Sequence, residues 1–474
     1  MASVTDGTVA AVATGELWRL GAGELAGMIR SGTVSASEVV AAHLDRIEQV
    51  DAEVNAVRVT LAETAMAAAQ EADRLLAAGG PVGPLHGVPF TVKECIDVAG
   101  TATTNGVVAL AEAIAPADAP AVAHLREAGA IPIGRTNLPD FQLRWHTDND
   151  LAGATRNPWD QALTPGGSSG GEAAALATGM TPLGLGTDLG GSLRFPSQCC
   201  GTAALRPTLG RVAQAASIEP ADPPFGMQLM SVVGPMARRV DDLRAAFEVL
   251  RRPSDRDPWY APVEAGRPGG PARVAVVTGQ DTHPDVAAGV RRAADALAGA
   301  GYQVEELDPP ALQDATTVWL TVVGHDLGLI WPVLEAVASK DAIGFLTAAL
   351  AAGPPTDPAA ATHALVARHG LARAWAAFQR SHPLILGPVS TQPPFPAGAD
   401  LGGTEAAGRI LGSLSLTIAA NVLGLPAAAV PVGLAGGLPQ GVQLIGPRWG
   451  EDLCLDAAAP VEAAAGILTP IDPR

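Results

Sequence analysis

Two serines in glycine-rich runs are the residues whose surroundings suggest chemistry. Ser168 lies in GGSSGG and Ser192 lies in DLGGS, with a small-residue helix pattern and a short apolar stretch between them. Glycines let a backbone turn several N–H groups towards one atom, because they adopt positive φ and carry no Cβ. A serine hydroxyl beside such donors is typical of acyl transfer, in which the hydroxyl oxygen attacks a carbonyl.

The turn that contains the second serine predicts an oxyanion hole. Its donors are the backbone N–H groups of Leu189, Gly190, Gly191 and Ser192. Each donor of this kind contributes about 2.7–4 kcal/mol to lowering the barrier in enzymes where it has been removed. A serine nucleophile also needs a base, and the two glycine-rich runs do not supply one.

Further motifs follow one another along the chain. They read HGVPFTVKECIDVAG, GRTNLPDF, GGSSGG, GLGTDLGGSLRFPSQCCG and ALRPTLGRV. In these motifs the chain resembles the amidase signature family, which are serine amidohydrolases with a Ser–Ser–Lys triad. The resemblance runs from LGAGELAGMIRSGTVSASEVV to LPQGVQLIG. It implies hydrolysis of a carboxylic amide to an acid plus ammonia or an amine, through a serine acyl-enzyme and with no metal or organic cofactor.

The resemblance also implies a role for three residues. Ser192 is the nucleophile, Ser168 is the bridging serine with a cis peptide bond, and Lys93 is the base. An ammonium cannot accept a proton, so we expect burial to lower the pKa of Lys93 until its neutral form is populated. Lys93 would take the proton of Ser168 while Ser168 takes that of Ser192, and the transfers would reverse to protonate the departing nitrogen.

Three neighbours of these residues are candidates for a supporting role. Asp188 and Arg194 flank the nucleophile, and they form either a buried ion pair that shapes the turn or a solvated turn. Ser169 is either a supporting hydrogen-bond donor or a turn residue. The sequence leaves both alternatives open.

A rival interpretation makes Ser168 the nucleophile. Residues 166–170 match G-x-S-x-G, the nucleophile elbow of α/β-hydrolases, in which the serine works with a histidine. An elbow follows a strand, whereas the preceding RNPWDQALTP is polar and broken by prolines. The elbow is therefore disfavoured, and we expect the loss of any of the nine histidines to spare the chemistry.

Composition indicates a globular protein without a charged macromolecular partner. The 474 residues are 48% hydrophobic and 16% charged, and the net charge of −18 disfavours nucleic acids and anionic membranes. We therefore expect a small-molecule amide as the partner, no nucleic acid and no membrane, and we leave a homodimer open. The four cysteines are too few for a disulfide scaffold and show no zinc-site spacing with histidine, which favours a cytoplasmic protein.

One long uncharged segment, residues 410–447, requires a membrane alternative to be considered. Its length would allow a transmembrane helix, but glycines and prolines divide it into pieces that are too short to span a bilayer. We predict a core helix followed by buried strands.

The order of predicted elements favours an α/β fold in a single large domain. Residues 1–78 are predicted to form an N-terminal helical layer behind a loose tail, with a capping box of Ser35 and Glu38. Residues 79–474 are predicted to form the catalytic core, whose β–α–β rhythm indicates a mixed, mainly parallel sheet covered by helices.

Substrate choice is expected to depend on two regions. By resemblance, the variable helical region at about 311–400 shapes the acyl-binding side of the site. The second region is the 140s, where Trp145, His146 and Asp148 either line a pocket or are loop residues with satisfied hydrogen bonds.

Two other functions remain as alternatives. The first is the glutaminase-like A subunit of a tRNA-dependent amidotransferase, which shares the triad but works in a complex. The second is a non-catalytic binding protein on the same fold, which the three intact triad positions disfavour.

Overall fold

The computed structural model describes residues 14–218, 222–263, 272–279 and 281–474. The predicted loose tail covers residues 1–15, of which 1–13 lie outside the described residues and 14–15 begin a short 3₁₀ turn. A single 11-stranded sheet runs through the described residues, in the strand order β1-β3-β2-β4-β6-β5-β10-β11-β9-β7-β8. The strands are β1 Val57–Thr60, β2 Pro89–Lys93, β3 Ile131–Thr136, β4 Leu183–Asp188, β5 Ala203–Arg206, β6 Val232–Ala237, β7 Arg273–Val276, β8 Gln303–Glu306, β9 Leu384–Pro388, β10 Ala427–Ala435 and β11 Leu438–Ile445.

Helices connect and cover these strands. They are α1 Ala22–Arg30, α2 Ala36–Val54, α3 Ala62–Ala77, α4 Pro120–Glu127, α5 Gly170–Ala177, α6 Arg194–Cys200, α7 Phe225–Gln228, α8 Val240–Leu250, α9 Pro284–Gly299, α10 Leu312–Val337, α11 Lys340–Ala352, α12 Pro358–Gln379, α13 Gly403–Ser413, α14 Ser415–Leu423 and α15 Glu451–Ala465. Short 3₁₀ turns lie at Thr14–Arg19, Val108–Leu110, Asp140–Gln142 and Ala399–Leu401.

The α/β class with a mixed sheet is confirmed, but the proportion of parallel strands needs a correction. The pairs β2/β3, β2/β4, β7/β8 and β7/β9 are parallel. The remaining neighbouring pairs in the described sheet, which include the whole centre from β4 to β9, are antiparallel. A β–α–β rhythm shows that strands alternate with helices, but it does not show which strands become neighbours.

The N-terminal region forms helices and also contributes a strand. The capping box is confirmed, because Ser35 accepts from the backbone N–H of Glu38 and the Glu38 carboxylate accepts from the backbone N–H of Ser35. Between α2 and α3 the chain forms β1, which pairs antiparallel with β3. This strand joins the helical layer directly to the edge of the sheet.

The strands that lead to the site are buried on both faces. Every residue of β2, β3 and β4 is buried. Because β2 and β4 are parallel neighbours, with Val92 opposite Leu185, their carboxyl ends reach the same edge of the sheet. Lys93 ends β2 and Asp188 ends β4, so this edge brings together two distant parts of the sequence.

The uncharged segment 410–447 folds as predicted. It contains the end of α13 and all of α14, with a bend of 67° between the two helices, and it continues into β10 and β11. One other described helix, α10, is long and apolar enough to cross a membrane, and half of its most apolar window is buried within the protein.

Candidate active site

Lys93 is fully buried at the end of β2, as its expected role requires. Its Nζ lies 2.7 Å from Oγ of Ser168 and 2.7 Å from Oγ1 of Thr187. Burial lowers the pKa of Lys93 to about 8, against smaller opposing effects of Cys95, Asp188 and Glu172. About a tenth of such amines are neutral at pH 7, so the group can accept a proton under ordinary conditions.

The bridging serine lies in the loop just before α5. The Gly167–Ser168 peptide bond is cis, and Ser168 is fully buried. The neighbouring Ser169 is also buried; its N–H donates to the carbonyl of Ser192 over 3.2 Å, and its hydroxyl donates to the carbonyl of Thr187 over 3.4 Å. Ser169 therefore ties the loop of the first serine to the turn of the second.

Ser192 lies between β4 and α6, 6% exposed, in the wall of a cavity. The structure thus places the two serines differently, because Ser192 lines the cavity, whereas Ser168 is not part of the cavity wall and lies against Lys93. This order agrees with a relay from the cavity into the interior.

The hydrogen bonds around Lys93, in which Nζ donates to Ser168 and Thr187, are compatible with a neutral amine. The Thr187 hydroxyl donates to Oε1 of Gln142 over 2.5 Å. The Thr187 oxygen is then an acceptor for one N–H of Lys93. When the amine is neutral, its lone pair is left for the hydroxyl of Ser168. Sequence reasoning identified neither Thr187 nor Gln142, although Thr187 directly precedes Asp188 in the second serine motif.

The four backbone N–H groups predicted for the oxyanion hole differ in their hydrogen bonding. The N–H of Gly191 donates to Oδ1 of Asp188 over 2.8 Å, so in this conformation it is engaged by the protein. The N–H groups of Leu189, Gly190 and Ser192 have no partner among the described residues.

Asp188 and Arg194 form the buried ion pair that one of the two sequence interpretations expected. Nε of Arg194 lies 3.0 Å from Oδ2 of Asp188, and both side chains are fully buried. Burial alone would raise the pKa of Asp188, but the charges of Arg194 and Arg206 outweigh it and hold that pKa well below its usual range. The same carboxylate accepts from the N–H groups of Gly191 and Leu193, so the ion pair shapes the turn around Ser192.

Two amides from distant elements complete this junction. Asn421 on α14 donates to Oδ1 of Asp188 over 2.8 Å and accepts from Arg194 over 2.7 Å. Gln443 on β11 accepts from Arg194 over 2.7 Å. Sequence reasoning did not find these amides, because single amides in buried segments carry no motif.

The cavity beside Ser192 is predominantly apolar. Its wall combines the turn that contains Ser192, residues 142–145 in the loop after β3, and the helices α10 and α11. Three aromatic rings lie in it, with Trp145 6.0 Å from Trp319 and 6.1 Å from Phe345 between ring centroids. Other apolar residues that line it are Leu143, Leu320, Val323, Leu327, Leu346, Ala349, Leu350 and Leu411, and the polar or charged lining residues besides Ser192 are Gln142, Arg144 and Thr356.

Trp145, His146 and Asp148 were expected either to line a pocket or to be loop residues with satisfied hydrogen bonds, and the structure gives a different answer for each. Trp145 lines the cavity. His146 is buried and lies 3.1 Å from Oγ1 of Thr164, as a loop residue with a satisfied hydrogen bond does. Asp148 is partly exposed and lies 3.9 Å from Nη1 of Arg144, outside the cavity wall.

The structure contradicts the nucleophile elbow. Ser168 follows an irregular loop rather than a strand, and the strand β4 comes after its helix. Among the described residues, no group of three or more His, Cys, Asp or Glu side chains is arranged to hold a metal ion.

Comparisons with known proteins agree with this site. The model of the amidase family matches residues 38–455. The indoleacetamide hydrolase of Bradyrhizobium diazoefficiens is 42% identical over 461 residues, which cover 96% of this chain and 88% of the relative. The A subunit of the glutamyl-tRNA(Gln) amidotransferase of Salinispora arenicola is 34% identical over 496 residues, covering 96% and 99%.

Solved structures have the same fold. A bacterial aryl acylamidase of the amidase signature family matches with a TM-score of 0.82 at 26% identity, covering 94% of this chain and 96% of the other. A 6-aminohexanoate cyclic dimer hydrolase with bound substrate matches with a TM-score of 0.80 at 28% identity, covering 96% and 99%.

These observations define an amide-hydrolysing enzyme on an α/β scaffold. The chain belongs to the amidase signature family.

Proposed function

We propose that this enzyme hydrolyses an arylacetamide, with indoleacetamide as the first candidate, to the arylacetic acid and ammonia. The observation that carries the proposal is the apolar cavity with three aromatic rings beside Ser192. The 42% identical indoleacetamide hydrolase supports the same substrate class.

The cavity suits the acyl side of such a substrate. Aromatic rings attract another ring in offset-stacked or edge-to-face arrangements, each worth about 0.5–1.5 kcal/mol beyond the buried area. Trp145 and Phe345 already form an edge-to-face pair, with 78° between their planes. An aryl group held among these rings would place a carbonyl one methylene away near Ser192.

In the proposed reaction Ser192 is the nucleophile, Ser168 is the relay and Lys93 is the base. The oxygen of Ser192 attacks the amide carbon, its proton passes to Ser168, and the Ser168 proton passes to neutral Lys93. The free N–H groups of Leu189, Gly190 and Ser192 receive the oxyanion.

The second half of the reaction reverses these proton transfers. The C–N bond breaks as a proton returns from Lys93 through Ser168 to the nitrogen, which leaves as ammonia and yields an ester on Ser192. Water then attacks this ester, again losing a proton towards Lys93, and the acid departs while Ser192 regains its proton. The supporting residues in this scheme are Ser169, Asp188 and Arg194, which hold the two serine segments in place.

Ser192→Ala should lower kcat on the best amide by roughly 10⁶-fold, as loss of a serine nucleophile does in other serine hydrolases. A fluorophosphonate probe followed by peptide mass spectrometry should label Ser192 in the unaltered enzyme. The exposed Ser31→Ala variant serves as the control and should retain full activity. An adduct on Ser168 would contradict the assignment.

A panel of amides tests the substrate class. We expect indoleacetamide and phenylacetamide to have a kcat/KM well above that of acetamide, propionamide and glutamine. A preference for short aliphatic amides would reject an arylacetamide substrate without rejecting the Ser192 mechanism.

The second candidate is the glutaminase-like A subunit, favoured by the 34% identity to the amidotransferase relative over 96% of the chain. Its substrate, glutamine, carries charged groups, whereas the cavity wall is mostly apolar, with Arg144 as a charged residue and Gln142 as a polar residue that line it. Glutamine hydrolysis that appears only with partner proteins and tRNA would favour this candidate. Failure of the phosphonate probe to label any serine would instead favour a binding protein.

The remaining proposals concern location and assembly. We infer that the enzyme acts in the cytoplasm, because its four cysteines are too few for a disulfide scaffold. We also infer that it acts on a small amide without a nucleic-acid or membrane partner, because its net charge of −18 opposes anionic partners. We also propose that residues 79–474 form the catalytic core and that 311–400 select the substrate. A homodimer stays an open alternative that analytical ultracentrifugation would decide.

A further inference from the structure

We propose that Trp319 and Trp145 are positioning residues for the oxyanion hole, acting through indole hydrogen bonds to the turn before Ser192. The indole N–H of Trp319 donates to the carbonyl of Leu189 over 2.9 Å. The indole N–H of Trp145 donates to the carbonyl of Gly190 over 3.0 Å. This inference rests on the proposed function only in assuming that Ser192 forms an acyl-enzyme.

The first of these bonds sets the direction of a free donor. The carbonyl of Leu189 and the N–H of Gly190 belong to one planar trans peptide, so they point in opposite directions. When Trp319 holds the carbonyl, it also aims the Gly190 N–H away from its own ring. That N–H has no partner among the described residues, so the bond from Trp319 is what fixes its direction.

The second bond secures the next peptide from the other side. Trp145 holds the carbonyl of Gly190, and Asp188 accepts from the N–H of Gly191 over 2.8 Å at the opposite end of the same peptide. This peptide is thus fixed at both ends. The peptide before it is fixed only at its carbonyl, which makes Trp319 the more important of the two tryptophans.

The turn needs such support because it is rich in glycine. Without a Cβ, the backbone at Gly190 and Gly191 has wide conformational freedom, and a rotated peptide would present a carbonyl where the oxyanion needs an N–H. The indoles also require the glycine, since a Cβ at residue 190 would lie 2.9 Å from Cζ2 of Trp319. Ring and turn therefore fit each other closely.

These tryptophans also form part of the acyl cavity. Trp319 lies on α10 and Trp145 in the loop after β3, and both line the cavity next to Ser192. The wall that contacts the acyl group therefore also holds the donors of the hole. An acyl group that shifts the rings would shift the turn.

The experiment separates the effect of the indole N–H of Trp319 on kcat from the effect of its aromatic ring. Trp319→Phe keeps an aromatic side chain and removes the donor, so we expect kcat to fall about tenfold to a hundredfold with KM changed less than threefold. Complete removal of one oxyanion-hole donor costs about 10²–10³ in kcat, which bounds this effect from above. Trp145→Phe should give a smaller loss, because Asp188 still holds its peptide.

Substrate size distinguishes positioning from contact. We expect Trp319→Phe to lower kcat by a similar factor for an aryl amide and for p-nitrophenyl acetate, whose acyl group is too small to fill the cavity. A loss confined to aryl substrates would overturn the positioning role, since it would mean that the ring acts by contact alone. Because the acetate ester does not depend on the arylacetamide proposal, the two proposals can fail separately.

A matched control is available in the same chain. The indole N–H of buried Trp375 donates to the carbonyl of Pro310 over 2.8 Å, and Trp375 is not part of the cavity wall. Trp375→Phe should lower the melting temperature without lowering kcat. An equal kcat in Trp319→Phe and Trp375→Phe would refute the inference.

A second variant covers the case in which Trp319→Phe does not fold. Replacement of Trp319 by β-(3-benzothienyl)alanine keeps the size and shape of the side chain and exchanges the N–H for sulfur. The same fall in kcat is expected, and unchanged kcat in this folded variant would overturn the proposal.

Discussion

Lys93 is the residue on which the proton transfers depend, and its chemical type is informative. The chain has 30 lysine and arginine residues, of which only Lys93 and Lys340 are lysine. An arginine stays protonated at any ordinary pH, whereas a buried lysine can lose its proton. Lys93 is fully buried between Ser168 and Thr187. A lysine at this position can therefore act as a base, which an arginine could not do.

The pH dependence of the reaction follows from the pKa of Lys93. Since this pKa is lowered to about 8 and only the neutral amine accepts a proton, kcat/KM should rise with pH and level off above about 8. Initial rates on a neutral amide between pH 5.5 and 10 measure the profile. Activity that falls as pH rises through 8 would contradict a neutral lysine base.

Two variants test whether the midpoint of the rise in kcat/KM with pH reflects the pKa of Lys93. The titratable groups that face it are Cys95, Asp188 and Glu172, and each raises the pKa of Lys93. Glu172→Gln removes one of these negative charges, so the midpoint should move to lower pH. Lys93→Ala should lose several orders of magnitude in kcat, whereas Lys340→Ala, at the exposed start of α11, should retain it.

At the scale of elements, the site depends on the junction between β4 and α6. Asp188 ends the strand, Arg194 begins the helix, and the turn with Ser192 lies between them. Their ion pair is completely buried and receives additional hydrogen bonds from Asn421 and Gln443. A buried charge that loses its partner is costly, so this junction should contribute strongly to stability.

Replacement of one partner tests this contribution. Asp188→Asn leaves Arg194 and Arg206 buried without a countercharge, so the free energy of unfolding should fall by about 3–5 kcal/mol. Urea denaturation followed by circular dichroism measures the change. The exposed pair Arg409–Glu405 is the control, and Glu405→Gln should leave the unfolding midpoint unchanged. A stable Asp188→Asn enzyme with normal kcat would show that the ion pair is dispensable.

At the scale of the whole molecule, the cavity forms where the sheet edge meets the helical region. Ser192 comes from the core, whereas Trp319, Val323 and Phe345 come from α10 and α11. Changes in these helices can therefore alter the substrate while the catalytic residues stay in place. This separation of substrate contacts from the catalytic residues agrees with the proposed role of residues 311–400.

A larger side chain in the cavity tests this division. Val323 is buried in the cavity wall, so Val323→Phe should raise KM for an arylacetamide roughly tenfold or more and leave acetamide hydrolysis nearly unchanged. Val333→Phe, at an exposed position on the same helix, should change neither. Steady-state kinetics on both amides measure the effect, and equal losses on the two substrates would argue against a selective cavity.

The sequence by itself determined the family, the two serine motifs and the separation of Lys93 from them. These features are local, because glycine runs, a capping box and short apolar strands depend mainly on neighbouring residues. It left a buried ion pair and a solvated turn equally open at Asp188 and Arg194, since burial is a property of the whole fold.

Only the tertiary structure decided which distant residues complete the site. The antiparallel centre of the sheet, the amides of Asn421 and Gln443, and the indole bonds of Trp145 and Trp319 depend on contacts between remote segments. The hydrogen bond that engages Gly191 is local in sequence, yet it depends on the orientation of one peptide. Such orientations are set by packing and hydrogen bonding in three dimensions, which residue types and their spacing do not specify.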